Sequence, residues 1–304
     1  MLWIIGSCNI DLTVKVERFP NEGETVLALE SHTSVGGKGA NQAVGAAVWK
    51  INPKLIASVG SDTFGKQAFQ TLQQYGVDTS SIVASDKHPT GMAWIEIDKR
   101  GNNRITVVPG ANVDLLAGQI LPNLVSLKET DYVLAQLEIP VKSVESAFAY
   151  AKRKGATTIL NLSPSFEGVE VLLSLTDLLV LNEKEYCQLT KISSFLEAME
   201  EAKAHFFRYG ITALVVTAGE LGAFLSMKNS SFVHFPSPKV QVVDSSGAGD
   251  AFLGTFSAWM VMGKSIEEAL KAAVISGSLA CCRLGTMSAI PDPMQVLQHL
   301  KNAI

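Results

Sequence analysis

Cysteine is scarce in this sequence, basic runs are missing and long apolar runs are missing, and each shortage excludes something. The 304 residues include four cysteines, Cys8, Cys187, Cys281 and Cys282, with no CxxC pair and no histidines at ligand spacing. A disulfide framework and a structural zinc site are therefore not indicated, and the thiols read as reduced and mostly buried in a cytoplasmic protein. The formal net charge is −4. Without a basic patch, nucleic acid and anionic membranes are poor partners. No stretch reaches the roughly 18 uninterrupted apolar residues of a membrane helix. Residues 1–5 are apolar but lack the basic n-region and the apolar stretch of about 7–15 residues that mark a signal peptide, so they read as a first strand. No internal repeat, low-complexity tract or linker is evident, and residues 1–304 read as one domain.

Hydrophobic residues reach 47% and charged ones 18%, the balance of a soluble enzyme with a well-covered sheet. Apolar runs that read as strands (2–7, 54–60, 131–137, 157–162, 178–181, 213–217) alternate with helical patterns over 36–49, 62–75, 115–126, 141–154, 183–190 and 194–209. An antiparallel pair is expected at 222–227 and 231–235, and a further strand at 239–243. The helices 251–262, 265–282 and 292–302 close the chain, the second opened by a Ser265–Glu268 capping box. This alternation predicts an α/β fold, a doubly wound, mostly parallel sheet with helices on both faces. Alternating segments at 13–17, 24–34, 90–98 and 103–108 predict a smaller antiparallel sheet, a lid formed by about 12–34 and 90–108.

Residues 244–252, Asp-Ser-Ser-Gly-Ala-Gly-Asp-Ala-Phe, place two glycines and a small residue before an apolar helix, with Asp250 in its first turn. A helix start offers unpaired N–H groups and a partial positive charge, a natural seat for phosphate. An acid there would repel a phosphate directly upon it, yet it could take a proton from a hydroxyl attacking that phosphate. The stretch reads as a phosphoryl-transfer centre.

Gly36-Gly37-Lys38-Gly39-Ala40-Asn41 is glycine-rich and basic but lacks the Walker A spacing, and Gly247-Ala248-Gly249 does not extend to GxGxxG because Phe252 holds the last position. The first motif is either a strand-to-helix turn or a close backbone approach to a polyhydroxylated ligand, with Asn41 bonding its hydroxyls. Asn9 and Asp11 flank Ile10 and in extended geometry point the same way. An amide beside a carboxylate suits adjacent sugar hydroxyls, although an Asx turn would use the same residues. Glu138, after an apolar strand, invites the same two readings. Asn182 and Glu185 share a helix's first turn, as capping residues or as neighbours of a water-held magnesium ion. Thr217-Ala218-Gly219-Glu220-Leu221-Gly222 is a turn with room for a ligand.

Taken in order, these pieces resemble the ribokinase-like family of carbohydrate kinases over nearly the whole chain. The resemblance rests on GSCNID at 6–11, PNEGETV at 20–26, GGKGANQAV at 36–44, AQLEIP at 135–140, NEKE at 182–185, TAGELG at 217–222 and the 244–252 stretch. It implies ATP-dependent phosphorylation of a sugar's terminal hydroxymethyl group, with D-ribose the first choice. Asp250 would be the catalytic base, and the N–H groups of Gly247, Ala248 and Gly249 the anion hole. The sugar would be held by Asn9, Asp11, Gly37, Lys38, Asn41, Glu138 and Asp250. ATP would lie along Asn182, Glu185, Thr217, Gly219, Gly222 and Gly249, with magnesium reached from Glu185 through water. A potassium-type cation would sit at Asp244, Ser246, Ala280, Arg283 and Gly285. Ala289 stands where the family usually has a serine ligand, and Asn161-Leu162-Ser163-Pro164 replaces the usual Asn-Pro-Ala-Pro. Exposed lid edges suggest a homodimer. The alternatives are a family member acting on fructose, a nucleoside or a keto-deoxy sugar acid, and a catalytically silent sugar-binding protein.

Overall fold

Alternate residues of the first strand enter different cores. Leu2 and Ile4 pack into one hydrophobic cluster, Trp3 and Ile5 into the other, so this strand is buried on both faces. A computed structural model describes residues 1–164 and 168–302. Its strands are β1 (Leu2–Ile5), β2 (Asn9–Val16), β3 (Ala28–Gly36), β4 (Lys54–Gly60), β5 (Asp78–Ser85), β6 (Gly91–Ile97) and β7 (Asn103–Val108), then β8 (Tyr132–Ala135), β9 (Thr157–Asn161), β10 (Leu178–Asn182), β11 (Ala213–Thr217), β12 (Ala223–Met227) and β13 (Val233–Phe235). Nine of them form one sheet in the order β13-β12-β11-β10-β9-β8-β1-β4-β5, parallel except where β12 meets its two neighbours.

One core lies under the helices Lys38–Ala47, Thr63–Gln74, Ala248–Val261, Ile266–Ala280 and Pro293–Asn302. The other lies under Val141–Arg153, Glu183–Thr190 and Phe195–Ala202. The expected doubly wound α/β sheet is therefore present. The chain winds outward from β1 in both directions, through β4 to β5 and through β8 to β13. That reversal at β1 opens a crevice at the strands' carboxyl ends, where α/β sheets bind ligands. Among the described residues no helix is long and apolar enough to cross a membrane.

The second sheet, β3-β2-β6-β7, differs from expectation. It is mixed, because β2 pairs with β6 in parallel. Both strands leave the main sheet at its carboxyl edge, β2 from β1 and β6 from β5, so they run the same way. Asn9 and Asp11 belong to β2 and not to the end of a main-sheet strand. Strand β5 was not legible, since its Asp, Thr and Ser content resembles a loop; it holds as an edge partner of β4.

Other elements are shorter than their apolar patterns. The expected helix 115–126 is a pair of short turns, Ala117–Ile120 and Leu121–Leu124, broken at Pro122. The expected helix 194–209 divides at Lys203. Residues 239–243 alternate but form no strand. Pro236 and Pro238 remove backbone donors just before them, and Val242 and Val243 remain exposed. Cys8 alone of the four free cysteines is fully buried; the others are half-buried.

Candidate active site

The helix that carries Asp250 starts at Ala248, one turn earlier than its apolar run suggests. Gly247 caps it in the left-handed region, at φ 73°, which glycine adopts at little cost. This helix crosses Lys38–Ala47 very closely: a Cβ on Gly254 would lie 2.5 Å from the Gly45 carbonyl carbon. Only two glycines allow that approach, and it carries the first turn of one helix against the first turn of the other. Asn41 Nδ2 consequently donates to Asp250 Oδ2 at 3.0 Å, and Gln42 Nε2 to Asp250 Oδ1 at 2.9 Å. Gln42 is held in turn, donating to Asn161 Oδ1 at 3.1 Å and accepting from Gln136 Nε2 at 2.5 Å. Asn41 Oδ1 is buried with no partner among the described residues, an acceptor left for a ligand hydroxyl.

Of the other predicted residues, Glu138, Asp11 and Lys38 lie near this pair. Glu138 Oε2 accepts from Ser7 Oγ at 2.5 Å and from the Lys38 backbone N–H at 3.1 Å, so it sits on the start of the Lys38–Ala47 helix. Asp11 is buried on β2. Burial, with the negative charges of Glu138 and Asp250, raises its pKa to about 7. Burial also raises Asp250, although the Lys38 ammonium and the Asn41 and Gln42 amides oppose that rise. Burial works against the charge on Lys38, but the carboxylates of Asp250, Glu138 and Glu185 outweigh it and hold the ammonium above its ordinary range. Asp11, Glu138, Asp250 and Lys38 are thus near enough to act on one another's charge, and an incoming neutral ligand with hydroxyls would find both donors and acceptors.

Asn182 and Glu185 form a reciprocal capping box, Glu185 N to Asn182 Oδ1 and Asn182 N to Glu185 Oε2, both 2.8 Å. The capping reading therefore holds for them. Glu185 is nonetheless buried, and burial raises its pKa. Asn182 pairs in register with Thr217 across β10 and β11, which lines both up at the sheet's edge. Gly219 lies in open space, whereas Gly222 backs onto the Phe235 carbonyl and closes the turn through its own carbonyl to Ala218 N–H at 2.8 Å.

Asp244 Oδ1 accepts from Ser246 N–H at 2.9 Å and Oδ2 from Gly285 N–H at 3.0 Å. It therefore ties the loop before Gly247 to the loop after Arg283. The Arg283 guanidinium reaches out to Gln295 at 3.5 Å, and Ala280 ends the preceding helix. Thr286 Oγ1, beside Gly247, is buried with no partner among the described residues. Above the helix start, nothing occupies the space where a side chain on Gly249 would stand, and the N–H groups of Gly247 and Gly249 have no partner among the described residues. The Ala248 N–H already donates to Ser245 O at 3.3 Å.

Sequence reasoning had not singled out Gln42, Gln136, Ser7 or Asn112. Gln42 carried a signal, since it follows Asn41 in the same motif. Ser7 and Gln136 carried one too, inside GSCNID and AQLEIP, and only Asn112 has none beyond its spatial partners.

The pfkB family carbohydrate kinase profile matches residues 1–293. A ribokinase of Haemophilus influenzae is 33% identical over 303 residues, covering 99% of each chain. A deoxyribokinase of Salmonella typhi is also 33% identical, over 98% of this chain and 97% of its own. The structure of Arabidopsis thaliana ribokinase complexed with ribose and ATP superposes with a TM-score of 0.87 at 31% identity, covering 99% of this chain and 98% of that one.

Proposed function

We propose that this chain, which belongs to the pfkB family of carbohydrate kinases, phosphorylates the terminal hydroxymethyl group of D-ribose with ATP. The observation that carries the reading is the Asp250 carboxylate, buried at a helix start and held by Asn41 and Gln42 beside the open N–H groups of Gly247 and Gly249. Asp250 is the base: it takes the proton as the sugar oxygen attacks the γ-phosphate. The N–H groups of Gly247 and Gly249 face the charge that develops on the transferring phosphoryl group, where prepositioned donors act most strongly, whereas that of Ala248, also expected there, is engaged by Ser245 O. A raised basicity at Asp250 favours this proton transfer at neutral pH. Asn9, Asp11, Gly37, Lys38, Asn41 and Glu138 hold the sugar, and the partnerless Asn41 oxygen accepts one of its hydroxyls.

Asn182, Glu185, Thr217, Gly219 and Gly222 line the ATP side. Among the described residues no three acidic, histidine or cysteine side chains gather as a metal cage. Magnesium, which keeps most of its waters, would be reached from Glu185 through one of them. When bound, the ion neutralises phosphate charge. For a potassium-type ion, Asp244, Ser246, Ala280, Arg283 and Gly285 supply mostly backbone oxygens. The partnerless Thr286 hydroxyl offers a further oxygen where Ala289 cannot. The small sheet is a lid that limits water at the reacting phosphate. Leu27, Leu29, Trp94, Ile105 and Val107, exposed on or beside it, support a homodimer formed there.

The match to a deoxyribokinase supports 2-deoxyribose as the second substrate candidate. A coupled assay of ADP release over pentoses, hexoses and nucleosides, with and without potassium, tests the reading. Highest kcat/KM with ribose is the expected result. Sugar binding without ADP release would favour a silent binding protein instead.

A further inference from the structure

Asn112 lies buried in the short 3-10 turn Gly110–Asp114 that follows β7. Its amide has no freedom to turn over. Oδ1 accepts from the Cys8 backbone N–H at 2.9 Å, and Nδ2 donates to the Pro109 carbonyl at 2.8 Å. A backbone N–H can only donate and a backbone carbonyl only accept, so these two contacts fix which end is which. Nδ2 also donates to Asn9 Oδ1 at 2.6 Å. That bond engages one lone pair of the Asn9 oxygen and fixes which end of the amide is which, so its NH2 group faces away from Asn112 and has no acceptor among the described residues, on the strand that also carries Asp11. Gly91 makes the arrangement feasible. A Cβ there would overlap Asn9 Oδ1 and Asn112 Nδ2, and would stand 2.8 Å from the Pro109 oxygen.

We propose that Asn112 is a specificity-determining positioning residue, which pins the Asn9 amide so that the site offers a hydrogen donor at Asn9 beside the Asp11 carboxyl. This rests on the sugar-kinase reading above. A sugar hydroxyl placed against that NH2 group accepts from it, and a ligand with no acceptor at that point is disfavoured. Asn112 itself touches no substrate. It acts through Asn9, and it links the segment leaving the small sheet to the segment entering it from β1.

The test is steady-state ADP release by the full-length protein with D-ribose, 2-deoxyribose and 3-deoxyribose, comparing wild type with Asn112→Asp. The new carboxylate still accepts from Cys8 but cannot donate to Asn9, which must swing its NH2 toward it and turn its oxygen to the ligand. The KM for ribose should rise about tenfold, as expected for one lost hydrogen bond. ATP KM and kcat should stay within about twofold, because only ground-state sugar contacts change. The rise should vanish with whichever deoxy sugar lacks the hydroxyl read by Asn9. Equal rises with all three sugars, or none, overturn the proposal, since a purely structural turn residue would not discriminate among them. If Asn112→Asp does not fold, the wild type still decides the question by NMR. Ribose should slow solvent exchange of the Asn9 side-chain NH2 protons, and unchanged exchange on saturation counts against the assignment. Wild type that releases no ADP with any sugar sinks the kinase reading instead, and this inference with it.

Discussion

Asp250 and Asp11 are both buried acids with raised pKa values, but the contacts around them differ. Two amide donors grip Asp250, so its position is set before any ligand arrives. Asp250→Asn should leave sugar and ATP binding by calorimetry nearly intact while lowering kcat by about 10²–10⁴, the range for a positioned acid–base group. Near wild-type turnover would remove Asp250 from the base role. Asp11 carries its proton up to about pH 7 in the folded protein, against an ordinary value of 3.8. The folded state therefore binds more protons than the unfolded chain between those values. The stability this contributes is full below pH 3.8 and is lost as pH climbs through 7. Asp11→Asn has no such proton to lose, so its Tm relative to wild type should be higher at pH 8 than at pH 5. A difference independent of pH would contradict the shift. The residues legible in the sequence were those whose type and spacing announce chemistry toward a ligand, Asn9, Asp11, Lys38, Asn41, Glu138 and Asp250. Gln42 and Gln136 lay inside the family motifs but announced no role of their own, and Asn112 lay in none, because they hold other protein groups, most of them about a hundred residues or more away in sequence.

At the scale of elements, the close crossing of Lys38–Ala47 and Ala248–Val261 decides the site. Gly254→Val would push a side chain into Gly45 backbone atoms only 2.5–2.6 Å from its Cβ. A loss of about 1–3 kcal/mol or more is expected, read as a lower midpoint in urea. Activity should fall faster than stability accounts for, because Asn41 and Gln42 retreat from Asp250. Unchanged kcat in a destabilised but folded variant would show that the crossing does not set the geometry. Elements were well read where a buried strand or an amphipathic helix stands alone. β11 (Ala213–Thr217) and the helix Glu183–Thr190 end where their patterns end. Residues 239–243 misled because alternation predicts a surface that could pair, and pairing also needs a neighbour. Their backbone found Cys281 instead, whose carbonyl accepts from both Val243 and Asp244 N–H groups at 2.8 and 3.1 Å.

For the whole molecule, the proposed dimer makes a direct prediction. Ile105→Glu, on the exposed strand β7, should shift the protein toward monomer in sedimentation velocity. A wild type that sediments as a monomer at micromolar concentration would end the dimer proposal. The winding order around β1 reaches further than the crevice it creates. One flank of β1 is covered by β4, which ends at Gly60, but its other neighbour, β8, begins only at Tyr132. During synthesis roughly 70 residues separate these events, several seconds at about 5–20 residues per second. Throughout that interval the nascent chain carries an apolar strand with one bare edge, the kind that recruits other chains. A ribosome stalled short of Tyr132 therefore exposes a sticky intermediate. Fragments ending there should aggregate more readily than the full-length chain, read by light scattering.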